Sequence, residues 1–315
     1  MTASTDTAAP RRRSAAPRRR GDRVFAAVSR SAATLIVLVL AGVAGFLLWQ
    51  AWPALTAAPG DVRGGQGLLH YIGPLAFGTA LASAIALAVA TPLSIGVALF
   101  TTHYAPRRLA RGLGYAIDLL AAIPSLVFGL WGIQVLAPRS VPVGHWLTEH
   151  LGFLPFFTGP ASQTGRTMLV AGVVLAIMVL PIMTAVNREV LGQTPRALEE
   201  ASLALGATRW EMVRQVVLPL GRGGIVSGAM LGLGRALGET MAVAIILSPS
   251  ARYTLDLVGS ASSGTIAADI ALQFPESSGL DVSTLIASGL VLFVITMAVS
   301  VAARAIARSG TGGRR

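Results

Sequence analysis

The sequence predicts an all-α, polytopic membrane protein with six transmembrane helices and both termini cytoplasmic, and three observations carry that prediction. Mean hydropathy is +0.67 and only 12% of the 315 residues are charged. An ordinary soluble domain carries about twice that charged share. Six apolar runs are each long enough for the ~20 residues that cross ~30 Å of hydrocarbon. The arginines, finally, fall on one side of those runs, as the positive-inside rule requires of cytoplasmic segments.

Composition also excludes several classes of function. There is no cysteine, which removes disulfides, thiolate metal sites and cysteine nucleophiles. All 25 basic residues are arginine. A Walker A loop needs its lysine on the nucleotide phosphates, so the chain has no ATPase site of that kind, and work driven by ATP has to enter through another subunit. Neither an enzyme activity nor a cofactor is expected. The four histidines, His70, His103, His145 and His150, are placed in loops, and no HExxH pattern occurs, which argues against a zinc protease.

The elements follow in order. Residues 1–30 contain Pro-Arg-Arg-Arg twice and lack apolar periodicity, so they read as a disordered cytoplasmic leader. The first apolar run, 31–50, resembles a signal peptide in its basic flank but is long for one, and it is read as a retained anchor that, with an outer loop, occupies 31–73. The core is assigned to 74–307, with spans near 75–100, 116–136, 168–186, 223–247 and 285–303, and 308–315 is a cytoplasmic tail. The cytoplasmic segments 1–30, 101–115, 187–222 and 304–315 hold 20 of the 25 arginines. The outer segments hold Arg63, Arg139, Arg166 and Arg252, and Arg235 lies inside the fifth span. The net charge of +11 is therefore topogenic, with some attraction to anionic membrane lipid, and no nucleic-acid partner is expected. Pro92, Pro124 and Pro181 fall inside spans and are expected to kink them.

The inside loop 187–222 is too long for a mere connector. Thr194 reads as an N-cap with Pro195 at the first helical position, and Leu198, Ala201 and Leu205 make one apolar face. Gly206 suits a helix end. Thr208 and Glu211 have the spacing of a capping box for a second helix, which Pro219 is expected to close. Two short amphipathic helices thus meet at a glycine turn, a surface made to be bound. A helix-turn-helix DNA reader has the same outline, but both ends are tethered to spans and the loop carries five Arg against four Glu. The bland alternative is a hairpin lying passively on the bilayer.

Gly232 to Val243 reads GLGRALGETMAV. A charge at the bilayer centre costs roughly 2.5–3.5 kcal/mol on insertion scales, so Arg235 and Glu239 together demand a reason. Four residues apart, they are expected to share a helix face, with the basic residue first, the less favourable order for mutual pairing. A buried ion pair that fixes helix register is one reading. The other is that Arg235 meets an anionic substrate, since its planar fork suits an oxyanion, with Glu239 as its anchor or part of a gate. Gly224, Gly228 and Gly232, with Gly234 and Gly238, predict close helix approach on this span. Asp118 lies near the cytoplasmic start of the third span, where a helix dipole favours an acid; a role in the substrate path is the alternative. The outer loop 248–284 carries Asp256, Asp269, Glu276 and Asp281 against Arg252 and reads as a solvated acidic loop that can face a basic rim on a partner.

Several motifs resemble a known family. Glu200-Ala201-Ser202, then Gly206, then Val216-x-Leu218-Pro219 is similar to the EAA loop of ABC importer permeases, with Ser202 for the second alanine and Val216 for the usual isoleucine. GRALGETMAV resembles the RAxGET segment of the phosphate-specific ABC permeases. IPSLVFGLWG (Ile123–Gly132), LGFLPFFTG (Leu151–Gly159) and TIAADIALQF (Thr265–Phe274) resemble the PstC-type membrane subunits more than the PstA-type. The resemblance covers the chain from about Pro74 onward. It implies a type I ABC importer permease fold in a bacterial cell membrane and a phosphate-importing function. The implied partners are a homologous second permease (PstA-like), two cytoplasmic ATPase subunits (PstB-like) and an extracytoplasmic phosphate-binding protein (PstS-like). It places Arg235, Glu239 and Thr240 on the substrate path, with Asp118 and Ser125 as further candidates. Glu199, Glu200, Ala201, Ser202, Gly206, Leu218 and Pro219 fall in the ATPase-coupling loop. A permease for another oxyanion, such as sulfate or molybdate, and a secondary transporter are the competing readings.

Overall fold

The computed structural model describes residues 20–247 and 252–309. Among these the chain is helical, and the one β-bridge is an isolated pair, Ala161 with Gly259. Six helical stretches are long and apolar enough to cross a membrane: Val24–Thr56, Leu68–Tyr104, Ser125–Leu151, Met168–Gly192, Arg209–Leu237 and Leu280–Ala305. Residues up to Phe46 form a unit of their own and Leu47 onward another. The first is a single helix, the start of α1 (Arg20–Thr56). It begins at Arg20, inside the segment assigned to the leader, and its run Leu35 to Val39 is exposed throughout. The rest of the leader, 1–19, and the end of the tail, 310–315, lie outside the described residues.

In the larger unit, α2 (Leu68–Leu99) and α6 (Met168–Gly192) pack along their length. α6 is the most buried of the spans: Met168, Val170, Val174, Leu175, Val179 and Met183 are all sealed from solvent. The partner faces are small. Ala82, Ala86 and Ala90 of α2 line the contact, and a Cβ on Gly172 of α6 would lie 2.5 Å from Ile85. α9 (Leu218–Leu237) packs against α6 and also touches α2. The glycine ladder expected on this span makes that contact: added Cβ atoms on Gly224, Gly228 and Gly232 would meet Val190, Asn187 and Met183 in turn. Those partners run backward along α6, so the two helices are antiparallel. Gly234 and Gly238 face nothing this close.

Proline treatment departs from expectation. Pro92 and Pro181 lie inside α2 and α6 as expected. Pro124 instead sits in a gap between α3 (Arg107–Ala121) and α4 (Ser125–Trp131), in extended conformation. The single third span expected over 116–136 is therefore two helices. A proline disfavours helical geometry in the residue before it, and at Ile123 that restriction breaks the chain rather than bending it. Pro219 does not close a helix either. α8 (Arg209–Met212), a π-turn over Val213–Val217 and α9 run on as one continuous rod.

Three π-turns, Phe100–Tyr104, Gly132–Leu136 and Val213–Val217, each end two residues before a proline: Pro106, Pro138 and Pro219. Proline lacks the N–H and its ring crowds the carbonyl four residues back. Widening the preceding turn to an i→i+5 bond inserts one residue and makes room for that ring. Two of the rods then continue, into α5 (Ala137–Leu151) and into α9.

At the end of the molecule away from the 187–222 loop, Arg63 donates to Gln273 and Ser277, and Tyr71 donates to Asp269 at 2.6 Å. Gln273 and Asp269 belong to α11 (Ile266–Gln273), which leads to α12 (Leu280–Ser309). Asp269 is buried, so the acidic loop is not uniformly solvated. Burial pushes the Asp269 carboxyl above the ordinary carboxylate range, against the lowering effects of the Tyr71 hydrogen bond and Arg63. The histidines are helical: His70 in α2, His103 in a π-turn, His145 and His150 in α5.

Two measurements test this packing. Gly232→Leu should destabilise the purified protein in detergent by about 1–3 kcal/mol through overpacking, with Gly234→Ala close to neutral; equal thermal shifts for the two would remove the ladder from the α6–α9 contact. Because the folded state holds the Asp269 proton more tightly than the unfolded chain, stability should fall as pH rises from the ordinary carboxylate pKa through the raised one. Asp269→Asn should flatten that slope in thermal-melt profiles.

Candidate functional site

The fifth span breaks where the sequence expected it to continue. α9 ends at Leu237, and Gly238, Glu239 and Thr240 separate it from α10 (Met241–Ile246). Arg235 and Glu239 therefore do not share one helix face. Among the described residues the only acid–base pair within 4.0 Å is His103–Glu199, so the ion-pair reading of Arg235 and Glu239 is not met. Glu239 is buried, and its Oε1 accepts the Ala242 N–H at 3.1 Å. It satisfies one of the free amides that a helix start exposes. Thr240 is half-buried at the N-cap of α10, and its hydroxyl donates to the Gly238 carbonyl at 3.2 Å. Arg235, half-buried in the last turn of α9, has a buried Nε with no hydrogen-bond partner. A buried polar group left unpaired costs about 1–3 kcal/mol, more when charged, so this guanidinium is the exception in the span.

α10 is too short to be stable alone and is held from three sides. Glu239 caps its start. Arg166 caps its end, with Nε donating to the Ile246 carbonyl and Nη2 to the Ile245 carbonyl, both at 3.1 Å. α4 lies against its flank, where a Cβ on Gly129 would be 2.8 Å from Ala242 Cα and one on Gly132 would be 3.0 Å from Ile246. Those two contacts advance together, so α4 and α10 run in the same direction. Ser125 is half-buried at the start of α4, about one turn before Gly129. The Ile123–Pro124 gap precedes α4 and the Gly238–Thr240 gap precedes α10. Asp118 does not join them by any contact. It is exposed in the last turn of α3 rather than the first turn of a span, so the dipole account of it is overturned, since a helix C-terminus disfavours an acid.

Sequence reasoning missed Arg166, which counted only as an outer-loop charge. Its carbonyl partners lie about eighty residues onward in the chain, and no local pattern points to them.

The 187–222 loop forms the expected hairpin, shifted by one residue. Pro195 takes the N-cap position and α7 spans Arg196–Ala204; Thr194 makes no side-chain cap. Gly206 has φ +88°. Its N–H donates to Leu203 and that of Ala207 to Ser202, the Schellman pairing. Thr208 and Glu211 form the capping box in both directions. Glu199 pairs with His103 at 3.4 Å, tying α7 to the end of the second span, while Glu200 and Ala201 are exposed and Ser202 is half-buried. Leu218 is half-buried and Pro219 exposed in the rod that follows. No residue of α7 is buried, and Leu198, Leu203, Leu205 and Trp210 are exposed, Leu205 at 90%. An apolar patch on a structured hairpin that no described residue covers has the character of an interaction surface.

Comparison with known proteins agrees with this architecture. The family model described as binding-protein-dependent transport system inner membrane component matches residues 90–309. The chain is 46% identical over 309 residues to the phosphate transport system permease protein PstC 2 of Mycobacterium tuberculosis, covering 94% of this chain and 95% of that one. It is 44% identical over 309 residues to PstC of Mycobacterium leprae, with the same coverage. Identity to PstC of Mesorhizobium japonicum is 40% over 294 residues, covering 90% of this chain and 89% of that one. Among solved structures, the fold is similar to a chain of a bacterial ABC transporter involved in alginate import (TM-score 0.55, 18% identity, 92% of this chain and 99% of that one). It is also similar to a chain of the inward-facing MetNI methionine ABC transporter (TM-score 0.54, 17% identity, 78% and 96%).

The hairpin geometry is open to direct test. A side chain at φ +88° costs roughly 1–2 kcal/mol, and no neighbour lies within 4 Å of a Cβ built on Gly206. Gly206→Ala should therefore raise the rate of limited proteolysis at the hairpin about tenfold, with Gly206→Asn intermediate. Equal rates for all three would show that the turn does not depend on its left-handed residue.

Proposed function

The chain belongs to the family of binding-protein-dependent transport system inner membrane components, and from that premise we propose that it is the permease subunit of an ATP-driven importer of inorganic phosphate. The observation that carries the site assignment is the unpartnered Nε of Arg235 in the last turn before the α9–α10 gap. A guanidinium donates from Nε and Nη in one plane, the fork that matches two oxygens of a phosphate. Glu239 is bonded to the Ala242 amide and makes no ion pair with Arg235, so the positive charge stays available. Thr240 and Ser125 add half-buried hydroxyls at the starts of α10 and α4. The curated relatives named as phosphate permeases favour phosphate over sulfate or molybdate.

Both termini lie on the cytoplasmic side in this reading, with the arginine-rich loops. The exposed apolar face of α7, with Glu200 and Ala201 beside it, docks an ATPase subunit. Two such ATPases dock on this hairpin and on that of a homologous second permease, and a phosphate-binding protein delivers substrate at the opposite face. ATP-driven closure of the ATPases pushes α7, and the push passes into the bundle along the rod that includes α9 and through the His103–Glu199 contact into α2. The helices rock as rigid bodies and switch access to Arg235 from one side to the other. The chain itself makes and breaks no bond.

The test is uptake of labelled phosphate by the complete complex in proteoliposomes. Arg235→Gln should assemble normally and lower uptake about 100-fold or more, the loss of two charge-assisted hydrogen bonds at about 1.5–3 kcal/mol each. Uptake at the normal rate by that variant removes Arg235 from the path. Phosphate entry without the ATPase subunits would instead support a secondary transporter, and preferential uptake of sulfate or molybdate would reassign the substrate.

A further inference from the structure

The six residues of α10 carry the Glu239–Thr240 gap at their N-terminal end, and their other end is bound to Arg166. A helix this short has almost no backbone group with an intrahelical partner at both ends. At its borders the Ala244 N–H donates to the Thr240 carbonyl and the Leu247 N–H to the Val243 carbonyl. In a membrane interior, free carbonyls must be satisfied by protein. Arg166 does this for two consecutive carbonyls at once, Ile245 and Ile246. It also places a positive charge at a helix C-terminus, the favourable end.

Arg166 itself is anchored. The next residue, Thr167, is the N-cap of α6, with its hydroxyl accepting the Val170 N–H at 3.3 Å. Leu169 N–H donates to the Leu257 carbonyl and Ser162 N–H to the Val258 carbonyl, both at 2.9 Å, so the segment around Arg166 is fixed to the 252–265 loop as well. α6 runs from this point to the hairpin at its far end. Glycine contacts at Gly129 and Gly132 leave α10 no space to shift toward α4. α10 also packs directly on α4, α6 and α11, and to that packing Arg166 adds a polar tie between the end of α10 and the start of α6.

We propose that Arg166 is a positioning residue for the substrate path: its forked bond to α10 fixes the Glu239–Thr240 gap relative to Arg235 and makes the gap follow the N-terminal end of α6. The proposal rests on the reading of Arg235 as the phosphate-meeting residue. Lysine reaches one carbonyl but cannot bridge both in a plane, so it replaces the clamp only in part.

The experiment uses the complete complex in proteoliposomes, with phosphate uptake and ATP hydrolysis measured on the same preparation. Arg166→Gln should retain ATP hydrolysis stimulated by the phosphate-loaded binding protein while the phosphate moved per ATP falls about tenfold. Arg166→Lys should recover part of that ratio. A merely structural defect lowers hydrolysis and uptake in proportion, and that outcome overturns the proposal, as does an unchanged ratio in Arg166→Gln. A second readout needs no transport. The chain has no cysteine, so Thr240→Cys gives this subunit a single thiol, and its labelling rate by a methanethiosulfonate reagent should change about fivefold or more when Arg166 becomes Gln or Lys. If Arg166→Gln fails to assemble, the labelling rate in Arg166→Lys decides, and no change there overturns the proposal. Full uptake by Arg235→Gln sinks the underlying reading. Loss of uptake in Arg235→Gln with a normal ratio and labelling in the Arg166 variants sinks only this inference.

Discussion

The hydrogen bond from the Ala242 amide to the Glu239 carboxylate is the contact around which the centre of this bundle is arranged. A broken helix inside a membrane protein exposes backbone groups that hydrocarbon cannot solvate, and each must find a partner in the chain. Glu239 supplies the acceptor at the start of α10, and Arg166 supplies the donors at its end. With Glu239 so engaged, Arg235 stands as a charged side chain whose Nε is unmatched. Arg235 stays in the last turn of α9 while Glu239 lies past its end in irregular backbone, and among the described residues the two make no ion pair.

The gap also explains the packing around it. α10 can be short because its neighbours bring it close without side chains in the way: Gly129 on α4 and Gly132 at the start of the π-turn that follows present bare backbone to it. The ladder of glycines on α9 does the same against α6. Between them, α6 becomes the buried axis of the molecule, reaching from the Thr167 cap to the hairpin that bears α7. Burial, small-residue contacts and caps here form one system, because each broken or shortened helix requires a closely fitted neighbour.

Much of this was legible in the sequence, and the failures have physical causes. The capping box at Thr208–Glu211, the left-handed Gly206 and the glycine spacing on α9 are local patterns whose geometry follows from residue type, and the structure contains all three. The number of spans followed from apolar length. Helix continuity did not, because Pro124 and Pro219 have the same chemistry and opposite outcomes. A chain break forms at the first, and a π-turn absorbs the second. The choice depends on what packs nearby, which a single sequence does not encode locally. For the same reason the shared helix face expected of Arg235 and Glu239 is absent: helical spacing does not apply across residues that are not in one helix. Arg166 escaped notice because its partners are remote in sequence, and Asp118 was assigned a dipole role from a helix start that lies elsewhere.

The π-turn before Pro219 has a mechanical corollary. One surplus residue in the turn rotates everything beyond it by about 100° relative to an uninterrupted α-helix. The face that α8 turns toward the hairpin and the face that α9 turns toward α6 are therefore offset by the bulge, like two cams keyed to one shaft at different angles. Excising a residue there would leave an intact rod with its far half pointing the wrong way, so the phase between input and output is written into a local miscount of the backbone.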